Sequence, residues 1–186
     1  ITDLMADPAS GQVGGTSALS ATVSSGLTPA YASTTPGVCT VDSSTVTYVT
    51  VGTCTVTADQ AGDANYNAAP QVTIDITVAM GDQVITNFAV DPAQGLLLMD
   101  GTLSATGGGS GNPIVFASTT PDTCTVSGNV VSYIEIGTCS VTAVQAGDDN
   151  WNAAAQATLD IVVLSPTTGI PTLSRWGLST MILAVL

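Results

Sequence analysis

Residues 33–69 read STTPGVCTVDSSTVTYVTVGTCTVTADQAGDANYNAA, and the stretch returns at 118–154 as STTPDTCTVSGNVVSYIEIGTCSVTAVQAGDDNWNAA. The two align without a gap and agree at 23 of 37 positions. A match that dense means one structural unit has been duplicated, so the chain is an array before it is anything else. Each copy holds two cysteines fifteen positions apart, Cys39 with Cys54 and Cys124 with Cys139, and the chain has no others.

Working outward, alternation with a period of two marks strands. Cys39 and Val41 share one face, Val46 and Tyr48 another, and Cys54, Val56 and Ala58 a third. The cysteines are in register with the apolar sets, so the spacing predicts the bridges Cys39–Cys54 and Cys124–Cys139, each between buried strands. Upstream, Leu19, Ala21 and Val23 alternate with Ser20, Thr22 and Ser24. Downstream, Val72, Ile74, Ile76 and Val78 close the first unit, as Ala157, Leu159, Ile161 and Val163 close the second. Tyr31 and Phe116 stand before the STTP turn as core-filling aromatics.

Ile1–Gly11 is echoed by Ile85–Gly95, so each unit opens on an extended segment ending at Asp-Pro. Pro8 and Pro92 suit an edge strand or its exit turn. In the second unit the run Gly107, Gly108, Gly109, Ser110, Gly111 replaces Val23–Leu27 with one residue inserted, and reads as a flexible loop. Six or seven short strands per unit, with no helical period, predict an all-β chain of two tandem β-sandwiches. The boundaries fall at 1–80, 81–164 and 165–186, the last being a linker and an apolar tail. The junction at 79–84, AMGDQV, has no Pro-rich or Ser-rich spacer, which predicts a semi-rigid rod.

Composition limits the chemistry. The 186 residues carry a net charge of −13, with one cation, Arg175, and no histidine. Phosphate binding needs donors of positive charge, so nucleic acid is not an expected partner. Two disulfides imply an oxidising setting, extracellular or at a cell surface. Without His or Lys the usual general bases and Schiff-base nucleophiles are missing, so no enzyme, catalytic residue or cofactor is expected. A structural metal is not expected either, since each unit offers only two widely spaced cysteines.

One small candidate site stands out: Gly62, Asp63, Ala64, Asn65, Tyr66, Asn67 and its counterpart Gly147, Asp148, Asp149, Asn150, Trp151, Asn152. Turn chemistry is the first reading, because Asp, Asn and Gly bond locally and tolerate left-handed backbone. Calcium held by clustered oxygens, or a sugar stacked on Tyr66 or Trp151, are the alternatives; an exposed ring favours the sugar and a buried one removes it.

The strand order, the unit length, and the recurring stretches at 52–58 (GTCTVTA) and 60–69 (QAGDANYNAA) resemble the immunoglobulin-like repeats carried in tandem by bacterial surface proteins and adhesins. The resemblance covers about residues 1–164 and implies a surface role. Antibody-type domains differ in their cysteine spacing and core tryptophan. The tail resembles another family. Ile170, Pro171, Thr172, Leu173, Ser174, Trp176 and Gly177 are similar to the IPTL-type carboxy-terminal sorting signal of Gram-negative bacteria, a relative of signals handled by exosortases. That resemblance implies membrane association of the tail and an exosortase-type processing enzyme as partner. Only nine residues follow Gly177, fewer than the roughly 20 that span a bilayer. Leu178, Met181, Ile182, Leu183, Val185 and Leu186 therefore read as an assembly tail buried against a neighbouring subunit. The expectation is a non-enzymatic subunit of a surface fibre or filament, a homo-oligomer or polymer, with an adhesin or carbohydrate-binding module as the alternative.

Overall fold

The computed structural model describes residues 1–166; the sorting-signal and assembly-tail residues lie outside them. The first half runs β1 (Thr2–Asp7), β2 (Gly11–Gln12), β3 (Thr16–Thr22), β4 (Ala30–Ser33), β5 (Cys39–Asp42), β6 (Thr45–Tyr48), β7 (Gly52–Gln60) and β8 (Ala69–Ala79). The second repeats it as β9 (Thr86–Asp91), β10 (Gly95–Leu96), β11 (Asp100–Thr106), β12 (Ile114–Ser118), β13 (Cys124–Ser127), β14 (Val130–Tyr133), β15 (Gly137–Gln145) and β16 (Ala157–Leu164). Each half is an immunoglobulin-like sandwich of two four-stranded sheets, β1-β3-β6-β5 over β2-β8-β7-β4 and β13-β14-β11-β9 over β10-β16-β15-β12.

Each half has eight strands where alternation predicted six or seven. The additions are β2 and β10, two residues long and thus too short to show a period. They run parallel to the last strand of their sandwich, Gly11 against Val78 and Gly95 against Val163.

The inward faces meet as the alternation requires. Leu19, Val46, Tyr48, Val56, Ile76 and Val78 are buried in the first core; Leu103, Val131, Tyr133, Val141, Ile161 and Val163 in the second. Tyr31 packs on the margin of the first core, and Phe116 stacks on Phe88 with ring centroids 5.6 Å apart. The Asp-Pro steps leave β1 and β9 through cis peptide bonds.

In each sandwich the bridge joins one sheet to the other, Cys39 to Cys54 and Cys124 to Cys139, with Cα atoms 5.6 Å apart. All four cysteines are completely buried. Closing a loop of this length contributes about 3 kcal/mol in the chain-entropy account. That matters in a unit of some 80 residues, whose core alone is small.

Candidate functional site: the joint between the sandwiches

The two Asp-Asn loops share one local structure. In the first, Asp63 Oδ1 accepts from the backbone N–H groups of Asn65 (2.8 Å) and Tyr66 (2.9 Å), while the Asp63 N–H donates to the Tyr66 carbonyl at 2.9 Å. In the second, Asp148 Oδ1 accepts from Asn150 and Trp151, both at 2.8 Å, and its N–H donates to the Trp151 carbonyl at 2.9 Å. Both carboxylates are therefore turn acceptors with their bonding turned inward. Among the described residues no three His, Cys, Asp or Glu side chains cluster as a metal site.

The surroundings of the loops differ. Tyr66 is 52% exposed. Trp151 is half-buried and packs against the core of the first sandwich, which removes stacking on a sugar from its roles. The antiparallel pairing of β15 with β16 sends the loop between them to the end of the second sandwich nearest the junction, where it meets the first.

Glycines make the approach feasible. A Cβ at Gly14 would lie 2.9 Å from the Trp151 ring, one at Gly81 2.7 Å from it and one at Gly109 2.3 Å from it. Three bare backbone positions thus line the ring, and a side chain at any of them would displace it. Backbone pairing then locks the contact. The Gly81 N–H donates to the Asn150 carbonyl and the Asn152 N–H donates to the Gly81 carbonyl, both at 2.8 Å. Side chains extend the seam: the Val51 N–H donates to Asn150 Oδ1 at 3.0 Å, and Asn152 Nδ2 donates to Asp82 Oδ1 at 2.8 Å.

The Gly107–Gly111 run, expected to be flexible, is held on several sides. Gln83, buried in the junction, accepts from the Ser110 N–H at 3.0 Å and donates to the Ala146 carbonyl at 3.0 Å. Gln145, also buried, accepts from the Gly108 N–H at 2.7 Å and donates to the Asn112 carbonyl at 2.8 Å. Glycine is used here for close approach: a Cβ at Gly108 would strike Gln83 and one at Gly107 would strike Gln145.

The opposite end of the second sandwich has the same backbone as the end that receives Trp151. Val13, Gly14 and Tyr48 donate to the carbonyls of Ala79, Tyr48 and Gly15, each at 3.0 Å; Leu97, Leu98 and Tyr133 donate to those of Leu164, Tyr133 and Met99 at 2.9, 2.9 and 3.1 Å. Leu98 thus occupies the place of Gly14, and both are left-handed, with φ of +65° and +82°. Leu98 is 80% exposed, and Met99, Ile134 and Ile136 beside it are also exposed.

Sequence reasoning found both loops and the paired aromatics but missed the joint. The available signal was the set of glycines at 14, 81 and 109, of which Gly14 and Gly81 have the larger Leu98 and Pro166 as counterparts in the second unit.

No family model matches the chain, and no curated protein does. Among solved structures, surface layer protein SbsC domains 1–6 align at 18% identity over 82% of this chain, with a TM-score of 0.32; the chain spans about a quarter of that structure's length, 24%. The C-terminal 282-residue fragment of intimin, in complex with the translocated intimin receptor, aligns at 18% identity over 88% of this chain and 64% of its own, with a TM-score of 0.35. The fibronectin(III)-like modules of Clostridium thermocellum CbhA align at 14% identity over 88% and 95%, with a TM-score of 0.34.

Proposed function

We propose that this protein is a non-enzymatic structural component of a bacterial cell surface, a subunit of an extracellular fibre or filament. The observation that carries the reading is the joint: Trp151 of one sandwich lies in a glycine-lined bed beside the core of the other, with backbone pairing at Gly81. Such a contact suits a spacer that must keep its units aligned. Stapled, fully buried disulfides support an oxidising location. The sorting-type motif from Ile170 to Gly177 and the apolar residues from Leu178 to Leu186 supply a route to the surface and a means of assembly through the tail.

A second reading, an adhesin or carbohydrate-binding module, is favoured by the exposed Tyr66 ring on its preformed turn.

Truncation after Thr168, followed by electron microscopy and sedimentation, tests the tail. The full chain is expected to form polymers and the shortened chain to lose them. Identical polymers from both would assign the tail to sorting alone. A full chain that stays monomeric and binds a glycan array would replace the filament reading with the adhesin.

A further inference from the structure

We propose that the Gly62–Asn67 loop is one half of a second joint, which seats on the far end of the second sandwich of another copy of this chain, Tyr66 against Leu98. The inference rests on the filament reading above and names a contact between subunits for it.

The loop is already in its docking conformation. The same three hydrogen bonds from Asp63 and from Asp148 build both loops, with distances agreeing within 0.1 Å. Covering the second loop therefore does not create its shape, and little ordering remains to oppose docking of the first.

The receiving platform is also present. Three matched backbone hydrogen bonds give the ends around Gly14 and Leu98 the same frame. A left-handed leucine is strained, and at 80% exposure it gains almost nothing from its own sandwich in return. The exchange of sizes is complementary: within the chain a broad indole meets a bare glycine, whereas at the outer ends the narrower phenol of Tyr66 would meet the bulk of Leu98. Ile134 and Ile136 extend the apolar ground on which that ring would lie.

Polar groups fall in matching places too. The N–H of Ile136, the counterpart of Val51, is where the Asn65 carboxamide would accept, as Asn150 accepts from Val51 at 3.0 Å. Pro166 is the sequence counterpart of Gly81, and its carbonyl would accept from the Asn67 N–H as that of Gly81 accepts from Asn152. Pro166 has no N–H of its own, so this joint has one backbone hydrogen bond fewer than the internal one. It is accordingly reversible and concentration-dependent. In a chain of net charge −13 it is strengthened by salt.

The test uses the full-length chain with single added cysteines, Tyr66→Cys and Leu98→Cys, mixed under mild oxidation and inspected by non-reducing electrophoresis and microscopy. The expected product is the 66–98 cross-linked heterodimer, in several-fold excess over either homodimer. Tyr66→Asp, a change in an exposed turn that leaves the core untouched, is expected to weaken association at least tenfold in sedimentation. Polymers that form without the 66–98 cross-link, or that are indifferent to Tyr66→Asp, overturn this joint and leave the filament reading standing. A chain that remains monomeric at every concentration overturns both.

Discussion

The Tyr48 hydroxyl donates to Ser17 Oγ at 2.7 Å, and Ser17 Oγ donates in turn to the Pro8 carbonyl at 2.8 Å. The relay ties the inner sheet face to the turn after β1. In the second sandwich Gly101 replaces Ser17, and the buried hydroxyl of Tyr133 has no partner among the described residues.

The two tyrosines should therefore respond in opposite ways to loss of their hydroxyl. Tyr48→Phe breaks a made hydrogen bond and leaves Ser17 half-satisfied, at a cost of about 1 kcal/mol. Tyr133→Phe removes a buried polar atom that bonds to nothing and should be neutral or stabilising by up to about 1 kcal/mol. Denaturant titration of the two variants checks the contrast, and equal destabilisation would contradict it.

Burial raises the Tyr133 hydroxyl above the ordinary phenol range. The unfolded chain then loses this proton at a lower pH than the folded one, so the associated stability is complete below about pH 10 and falls as pH rises through the folded value. Wild-type protein is expected to weaken more steeply than Tyr133→Phe above pH 10 in thermal melts. Parallel curves would count against a buried, desolvated phenol.

Asp63 and Asp148 build the same turn, yet only the second supports the joint within the chain. Asp63→Ala loses two charge-assisted hydrogen bonds to backbone N–H groups and should cost about 1 kcal/mol, acting locally. Asp148→Ala should also release Trp151, costing about 1–2 kcal/mol for two charge-assisted hydrogen bonds plus the lost contact. The readout is the red shift of Trp151 emission in a Trp176→Phe background, expected for Asp148→Ala and absent for Asp63→Ala.

Gly14→Leu copies the Leu98 end onto the internal joint. The side chain would enter the Trp151 ring space and adopt a left-handed backbone, so the variant is expected to separate the sandwiches. Solution scattering should show a broader spread of end-to-end distances, with each half keeping its own melting transition. An unchanged scattering profile would mean that Trp151 is not what aligns the halves.

The disulfides should resist reductant in the native state, since all four cysteines are fully buried. Thiol titration with dithiothreitol should detect no free cysteine until denaturant unfolds the chain. Once reduced, each sandwich is expected to lose about 3 kcal/mol.

Much of this fold was legible in the sequence because a buried β-face has a fixed period. The alternations Val46–Tyr48, Cys54–Val56–Ala58 and Val72–Ile74–Ile76–Val78 assign both sheets and their inner faces without reference to anything distant. The short strands β2 and β10 were not legible, since two residues have no period. Nor was the joint. Tyr66 and Trp151 sit in near-identical sequences, and what separates them is a neighbour: Gly14 and Gly81 lie 137 and 70 positions from Trp151, and nothing local to the loop announces them. Gly107–Gly111 was misread for a related reason, because glycine marks close approach as readily as freedom, and only the groups across from it decide.

The parallel pairing of β2 with β8, and of β10 with β16, decides how the chain bears a mechanical load. Each sandwich is entered beside one end of its last strand and left from the other, so tension applied along the chain slides these parallel strands past each other. The hydrogen bonds at Gly11–Val78, Gln12–Ala79, Gly95–Val163 and Leu96–Leu164 are loaded together in shear and do not open one at a time. If a sandwich does yield, its disulfide withholds the 15-residue separation between its cysteines from extension, roughly 50 Å of contour length at about 3.4 Å per residue. Each unit then behaves as a tether with a built-in stop, lengthening under a pull while keeping part of its chain looped around the closed bridge.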